Sequence, residues 1–148
     1  MTAKTDSWEN ALLLLLFNNT GAANIGDATG LRGSTTAGQL FLSLHTADPG
    51  ETGNQSTSEV AYTSYARVGI NRASGAGGFT VTGNSVSPTT QPTSFPAATG
   101  GSATATHFGI GTASSGAGVL LYRGALSASI AISSGVTPQL STLTGTED

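Results

Sequence analysis

From Ala73 to Tyr122 the chain carries no Asp, Glu, Lys or Arg. Net charge keeps soluble proteins apart, and charge is what interface cores lose. A neutral stretch this long is therefore expected to face other protein rather than open water. Six of the eight acids lie at or before Glu59, and the other two are the last residues, Glu147 and Asp148. Only 9% of all residues are charged, against roughly 25% in ordinary globular domains. Ser, Thr, Gly and Ala take the vacated positions.

Disorder needs low hydrophobicity together with high charge. At 37% hydrophobic residues the chain meets neither condition, so a folded domain with neutral polar surfaces is expected. Its 148 residues suit a single domain, 1–148, with a sizeable core. The net charge of −3, with one Lys and four Arg, argues against a nucleic-acid partner, which needs clustered cations to neutralise phosphates. The absence of cysteine removes disulfides and thiolate metal sites. The apolar run from Ala11 to Phe17 is far short of the roughly 20 residues of a membrane span. Asp6 and Glu9 precede it, so it also lacks the basic start of a secretory signal. No membrane partner is expected.

Residues 1–38 read as a helix plus an arm, and 39–148 as a β-sandwich. The helix is expected over Ser7 to Asn18, with Asp6 as N-cap and Glu9 completing a capping box. Leu12 to Leu16 make it apolar around most of its circumference, which implies burial on more than one side. Residues 21–38 are rich in glycine and form a long loop, suited to wrapping a neighbouring subunit. Strands are expected at 39–46 and 65–72, then in a hairpin over 79–87 with Gly83-Asn84 at its turn, then at 103–112, 119–126 and 127–132. A last short strand is expected at 140–143. In the strand at 65–72, Ala66, Val68 and Ile70 share a face. Asp48-Pro49-Gly50 is a turn, with Asp48 as its cap. Seven or eight short strands separated by turns predict a mainly β fold, a β-sandwich or jelly-roll-like barrel with one N-terminal α-helix.

The inventory of reactive groups is thin, and no catalytic residue is assigned. His45 and His107 each fall inside an expected strand, where a histidine usually serves as a hydrogen-bonded packing residue. No nucleophile elbow, zinc helix or phosphate loop is present. Gly109-Ile110-Gly111 lacks the third glycine and the following helix of a dinucleotide site. Asp27, Asp48, Glu51 and Glu59 match no calcium-loop spacing. No cofactor and no metal is expected. The side chains selected for a subunit interface are Trp8, Leu12, Leu16, Leu31, Arg32, Tyr62, Tyr65 and Tyr122.

An ordered series of motifs runs through the chain: LHTADPGE at 44–51, EVAYTSYARV at 59–68, FPAATGG at 95–101, ATHFGIGTASSGAG at 105–118, LLYRGAL at 120–126 and the terminal TED. Together they resemble a family of small tailed-phage and prophage virion structural proteins that often carry the label "phage tail fiber protein". The resemblance implies a non-enzymatic component of the virion, assembled in the bacterial host cytoplasm. The expected role is a capsid decoration or cement protein that stabilises the major capsid shell. The alternatives are a tail or tail-fibre component and a carbohydrate-binding β-sandwich for host adhesion. The expected partners are copies of the chain itself, with a trimer as one arrangement, and the major capsid protein or tail proteins.

Overall fold

Helix α1 spans Asp6–Phe17 and begins one residue earlier than expected. Thr5, extended at φ −95° and ψ 148°, is the N-cap. Its carbonyl accepts the amides of Trp8 and Glu9 at 2.8 and 3.0 Å, and its side chain makes no capping bond. Asp6 is thus already helical, and the expected capping box is not the device that starts the helix. Asp6 and Glu9 occupy the first turn, where negative charge suits the helix dipole.

The far end of α1 is closed from a distance. The last carbonyls of a helix have no partner within it, and α1 has no basic residue in its last turn. Arg72 supplies what is missing. Its Nε donates to the Leu16 carbonyl at 2.6 Å and its Nη2 to the Leu15 carbonyl at 2.9 Å. Its Nη1 donates to the Ala37 carbonyl at 2.9 Å, which ties the arm to the same point.

The structure is a computed structural model that describes residues 4–23, 25–26 and 30–147. Among the described residues nine strands follow α1: β1 Gln39–His45, β2 Val68–Asn71, β3 Phe79–Thr82, β4 Ser85–Pro88, β5 Thr93–Ser94, β6 Ser102–Gly111, β7 Leu120–Ser133, β8 Gln139–Leu140 and β9 Gly145–Thr146. Strand takes 39% of the described residues and helix 9%, so the chain is mainly β, consistent with a β-sandwich bearing one N-terminal helix. No sheet closes into a barrel among the described residues.

The chain forms two compact units, one from Met1–Gln39, Ile70–Gln91 and Ser141–Asp148 and the other from Leu40–Gly69 and Pro92–Leu140. In the first unit α1 lies against β3 and β4. Leu13 and Phe17 are fully buried there, and Phe17 meets Phe79 edge to face with ring centroids 4.9 Å apart. The hairpin β3–β4 forms about the expected turn and reaches one residue further, with Phe79 opposite Pro88 through Thr82 opposite Ser85. Gly83 in its turn sits at φ 60°, as tight hairpin turns require. β9 pairs with β4 as the third strand.

The second unit is built on the sheet β2-β1-β6-β7, with the ends of β1 and β2 continuing into the first unit. β1 pairs antiparallel with β6, and β6 with β7. Leu40, Leu42 and Leu44 are buried on one face of β1 as alternation predicts. β5 and β8 form a separate antiparallel pair, so the strand expected at 140–143 lies slightly earlier, at 139–140.

Two further expectations need correction. Only Val68–Asn71 of the strand expected at 65–72 is in the sheet, and Ala66 is exposed while Arg67 is buried. The ion pair that Arg67 makes overrides the alternation. The two strands expected at 119–126 and 127–132 are one, β7. What breaks the pattern is a bulge: Ala105 faces Ile130 and His107 faces Ala125, leaving Leu126–Ser129 opposite Thr106 alone.

Replacing Arg72 with Ala is expected to lower stability by about 2 kcal/mol, the scale of losing charge-assisted bonds to helix carbonyls. Urea unfolding followed at 222 nm measures it, and an unchanged midpoint would remove Arg72 from its closing role.

Candidate functional site

Alternation in β1 puts Phe41, Ser43 and His45 on the face opposite the three leucines. The His45 ring is held at both nitrogens: Nδ1 is 2.8 Å from the Thr57 carbonyl and Nε2 is 2.8 Å from Ser43 Oγ. A carbonyl only accepts, so in the neutral ring Nδ1 carries the proton and Nε2 accepts from the Ser43 hydroxyl. A serine on an acceptor imidazole whose other nitrogen is fixed has the wiring of a nucleophile–base pair. Ser43 and His45 are both at 0% exposure, however, so no substrate atom reaches them. On β6, a Cβ at Gly109 would stand 2.7 Å from His45 Nε2 and 2.8 Å from Ser43 Oγ. Glycine at that position leaves the space the pair fills. Burial holds the His45 pKa below its ordinary value, against the raising effects of the Thr57 carbonyl and of Glu59. His45 is a hydrogen-bonded packing residue.

A second buried network lies in the same unit. Glu59 accepts from Arg67 on both oxygens, Nε to Oε1 and Nη2 to Oε2, each at 2.7 Å. Oε1 also accepts the Tyr65 hydroxyl at 2.8 Å. The Arg67 side chain is only 2% exposed. Two further N–H groups donate to the carbonyls of Ala113 at 2.9 Å and Gly116 at 2.7 Å. Fully buried Gln55 holds the same loop, accepting the Ala113 amide on Oε1 at 2.9 Å. The hydrogen bond to Glu59 raises the Arg67 pKa, and burial pushes the Tyr65 phenol well above its usual range. This network shapes the loop 112–119, whose residues Ser114 to Val119 are exposed.

Asp48 caps its turn as expected, its Oδ1 accepting the Gly50 amide at 3.0 Å. Its carboxylate also takes Arg123 Nη1 at 2.6 and 2.7 Å. The Gly50 amide, then Arg123, hold the Asp48 pKa below its ordinary value. Beside this pair a shallow cleft of about 230 Å³ opens between Gly50, Glu51 and Gly53 and the start of β7, at Leu120 to Arg123. Asp27 lies outside the described residues. Among the described residues no three His, Asp or Glu side chains come together in a metal-binding group.

The side chains expected at an interface fall in several places. Trp8, Leu12 and Leu16 are spaced by four residues along one face of α1 and all three are half-buried. Leu31 is 40% exposed and Arg32 is exposed on the arm, where Leu31 pairs by backbone with Ala22. Tyr62 is buried and donates its hydroxyl to the Pro96 carbonyl at 2.8 Å. Tyr65 packs edge to face on Tyr62 and stacks on Phe95. Tyr122 is half-buried on β7.

Residues 3–145 match the family model described as Podophage GP4 fiber I protein gp80. The chain belongs to that family. None of the curated proteins compared matches it. Membership of the fiber I family makes it a structural protein of the phage virion, in keeping with the motif series in the sequence. The features that periodicity misses in this chain are the Ser43–His45 pair and the Arg67 network. One signal was available: an arginine between Ala66 and Val68, in a chain with only four, is expensive to bury without a partner.

Two outcomes follow for the buried groups. Removing one partner of a buried ion pair leaves the other uncompensated, so Arg67→Ala is expected to cost about 3–5 kcal/mol and to open 112–119 to proteolysis. Denaturant unfolding and limited proteolysis read both. For His45, the lowered folded-state pKa means that the unfolded chain binds the proton more readily. Stability is then full above the ordinary value of 6.5 and falls as pH drops below it, until the folded pKa is passed. His45→Gln is expected to flatten this part of a stability profile taken from about pH 5 to 8; an unaltered slope would assign the dependence to other groups.

Proposed function

We propose that the chain is a subunit of a phage tail fibre that works by packing against copies of itself and against neighbouring virion proteins. The observation that carries this reading is a set of incompletely covered apolar side chains in a chain poor in charge. The stripe Trp8, Leu12 and Leu16 is half-covered within the chain, Leu31 stands out on the arm, and Tyr122 is only half-covered on β7. Large aromatic and aliphatic groups in a setting poor in charge are what interface cores contain. The fibre assignment takes its support from the family description. A trimer is one closed arrangement open to such a subunit.

Capsid decoration is the second reading, supported by the neutral Ser-, Thr- and Gly-rich stretch from Ala73 to Tyr122, which packs closely without charge repulsion. The two readings differ in copy number. Quantitative mass spectrometry of purified particles is expected to find the chain in few copies, fixed by the symmetry of the tail. Amounts near those of the major capsid protein would replace the fibre reading with decoration, and absence from the particles would end both.

A further inference from the structure

The longest strand is poorly covered. β7 ends the sheet order β2-β1-β6-β7, so only its inner side pairs, with β6. Among the described residues, no strand or loop backbone pairs with its outer side between Arg123 and Ile132. Of its apolar residues Leu120, Leu121, Tyr122, Leu126, Ile130 and Ile132, only Ile132 is buried. Val119, just before it, is 58% exposed.

Bare edge strands recruit other strands, and soluble monomers guard them with lysine, proline, inward charges or a covering element. β7 has no proline and one charge, Arg123, which Asp48 of the same chain neutralises at 2.6 Å. Bulges at Leu121 and over Leu126–Ser129 bend it. The runs Tyr122–Ala125 and Ile130–Ser133 keep regular register with β6.

We infer that two copies of the chain join edge to edge through β7, antiparallel about a two-fold axis. This deepens the subunit reading and rests on it only in requiring that the chain assembles. A second copy is the occupant the charge pattern favours. A foreign partner is selected by complementary charge and by repulsion of wrong partners, and β7 offers no net charge for either. Two identical neutral edges meet without repulsion, and antiparallel pairing of like strands is the self-complementary contact that a two-fold axis demands. Main-chain bonds supply affinity in such an addition. With the exposed loop before it, the segment from Thr112 to Ser133 matches the roughly 20–30 residues a side of a standard interface.

The chain has no cysteine, so single cysteines report cleanly. Ala125, Ser127, Ala128, Ser129 and Ala131 are exposed on β7 and are replaced by cysteine one at a time, with exposed Ser74→Cys as the control. Oxidation of the full-length protein is expected to give a disulfide dimer at one position, or at two neighbouring ones, because only residues beside the axis meet their own copies within disulfide reach. Mixed pairs of variants then cross-link only where their two residue numbers share a constant sum. The double variant A125K/A131K is expected to keep its circular dichroism and to weaken self-association at least about tenfold in analytical ultracentrifugation. The proposal is overturned by cross-linking no greater than the Ser74→Cys control, or equal at every position, or by unaltered association of the lysine variant. If any of these occurs while the chain still enters particles, the β7 joint alone fails. A β7 dimer that never enters particles sinks the virion reading instead.

Discussion

The second unit depends on one buried ion pair. Arg67 reaches Glu59 through two nitrogens and the carbonyls of Ala113 and Gly116 through its remaining contacts. The segment from Glu59 to Arg67 and the distant loop at Ala113 to Gly116 are thereby fixed to one planar group. Taking charges out of water costs several kcal/mol for each ion and is offset only when geometry and extra hydrogen bonds are good. The bidentate contact and the Tyr65 hydroxyl on the same carboxylate meet that condition. A lysine could not reproduce it, because an ammonium has no planar fork to divide between a carboxylate and two carbonyls.

The same use of charge recurs through the molecule and explains how its neutral surface arises. Arg72 closes α1, Arg123 holds Asp48, and Lys4 lies 3.2 Å from Glu147. Among the described residues, Lys4, Arg67, Arg72 and Arg123 thus serve contacts within the chain. The surface pairs contribute little to stability, since solvent screens them. Their effect is to cancel charge that would otherwise project outward. Scarcity of charge and its internal use act together, and both favour close contact between subunits.

Periodicity made the regular elements legible and stopped where single side chains decide the outcome. α1, β1, the hairpin β3–β4 and β6 all lie within one or two residues of where apolar runs and turn residues placed them. β7 was divided in two because the bulge at Leu126–Ser129 breaks the period without ending the strand. The segment before β2 was misjudged because alternation assumes that an arginine stays out, and Arg67 turns in to meet Glu59. Strand order was not legible at all: β6 follows β1 by more than fifty residues yet pairs with it directly. The residues selected for an interface divide in the same way. Position along a helix was enough to group Trp8, Leu12 and Leu16, whereas nothing local foretold that the Tyr62 hydroxyl is engaged by Pro96.

A neutral surface raises a problem of its own, since removing repulsion permits wrong contacts as readily as right ones. Specificity must then come from shape and from backbone geometry. The edge of β7 provides such a restriction. Pairing to a strand fixes direction and register through hydrogen bonds spaced along the main chain, and the two bulges interrupt that spacing at set points. A strand added to this edge must accommodate both irregularities, which a flat, regular strand from an unrelated protein does not do. Bulges deter pairing when they stand on an edge that should remain bare. On an edge that is to be covered they select for a partner with the same bends, and a second copy of the chain has them at the same residues.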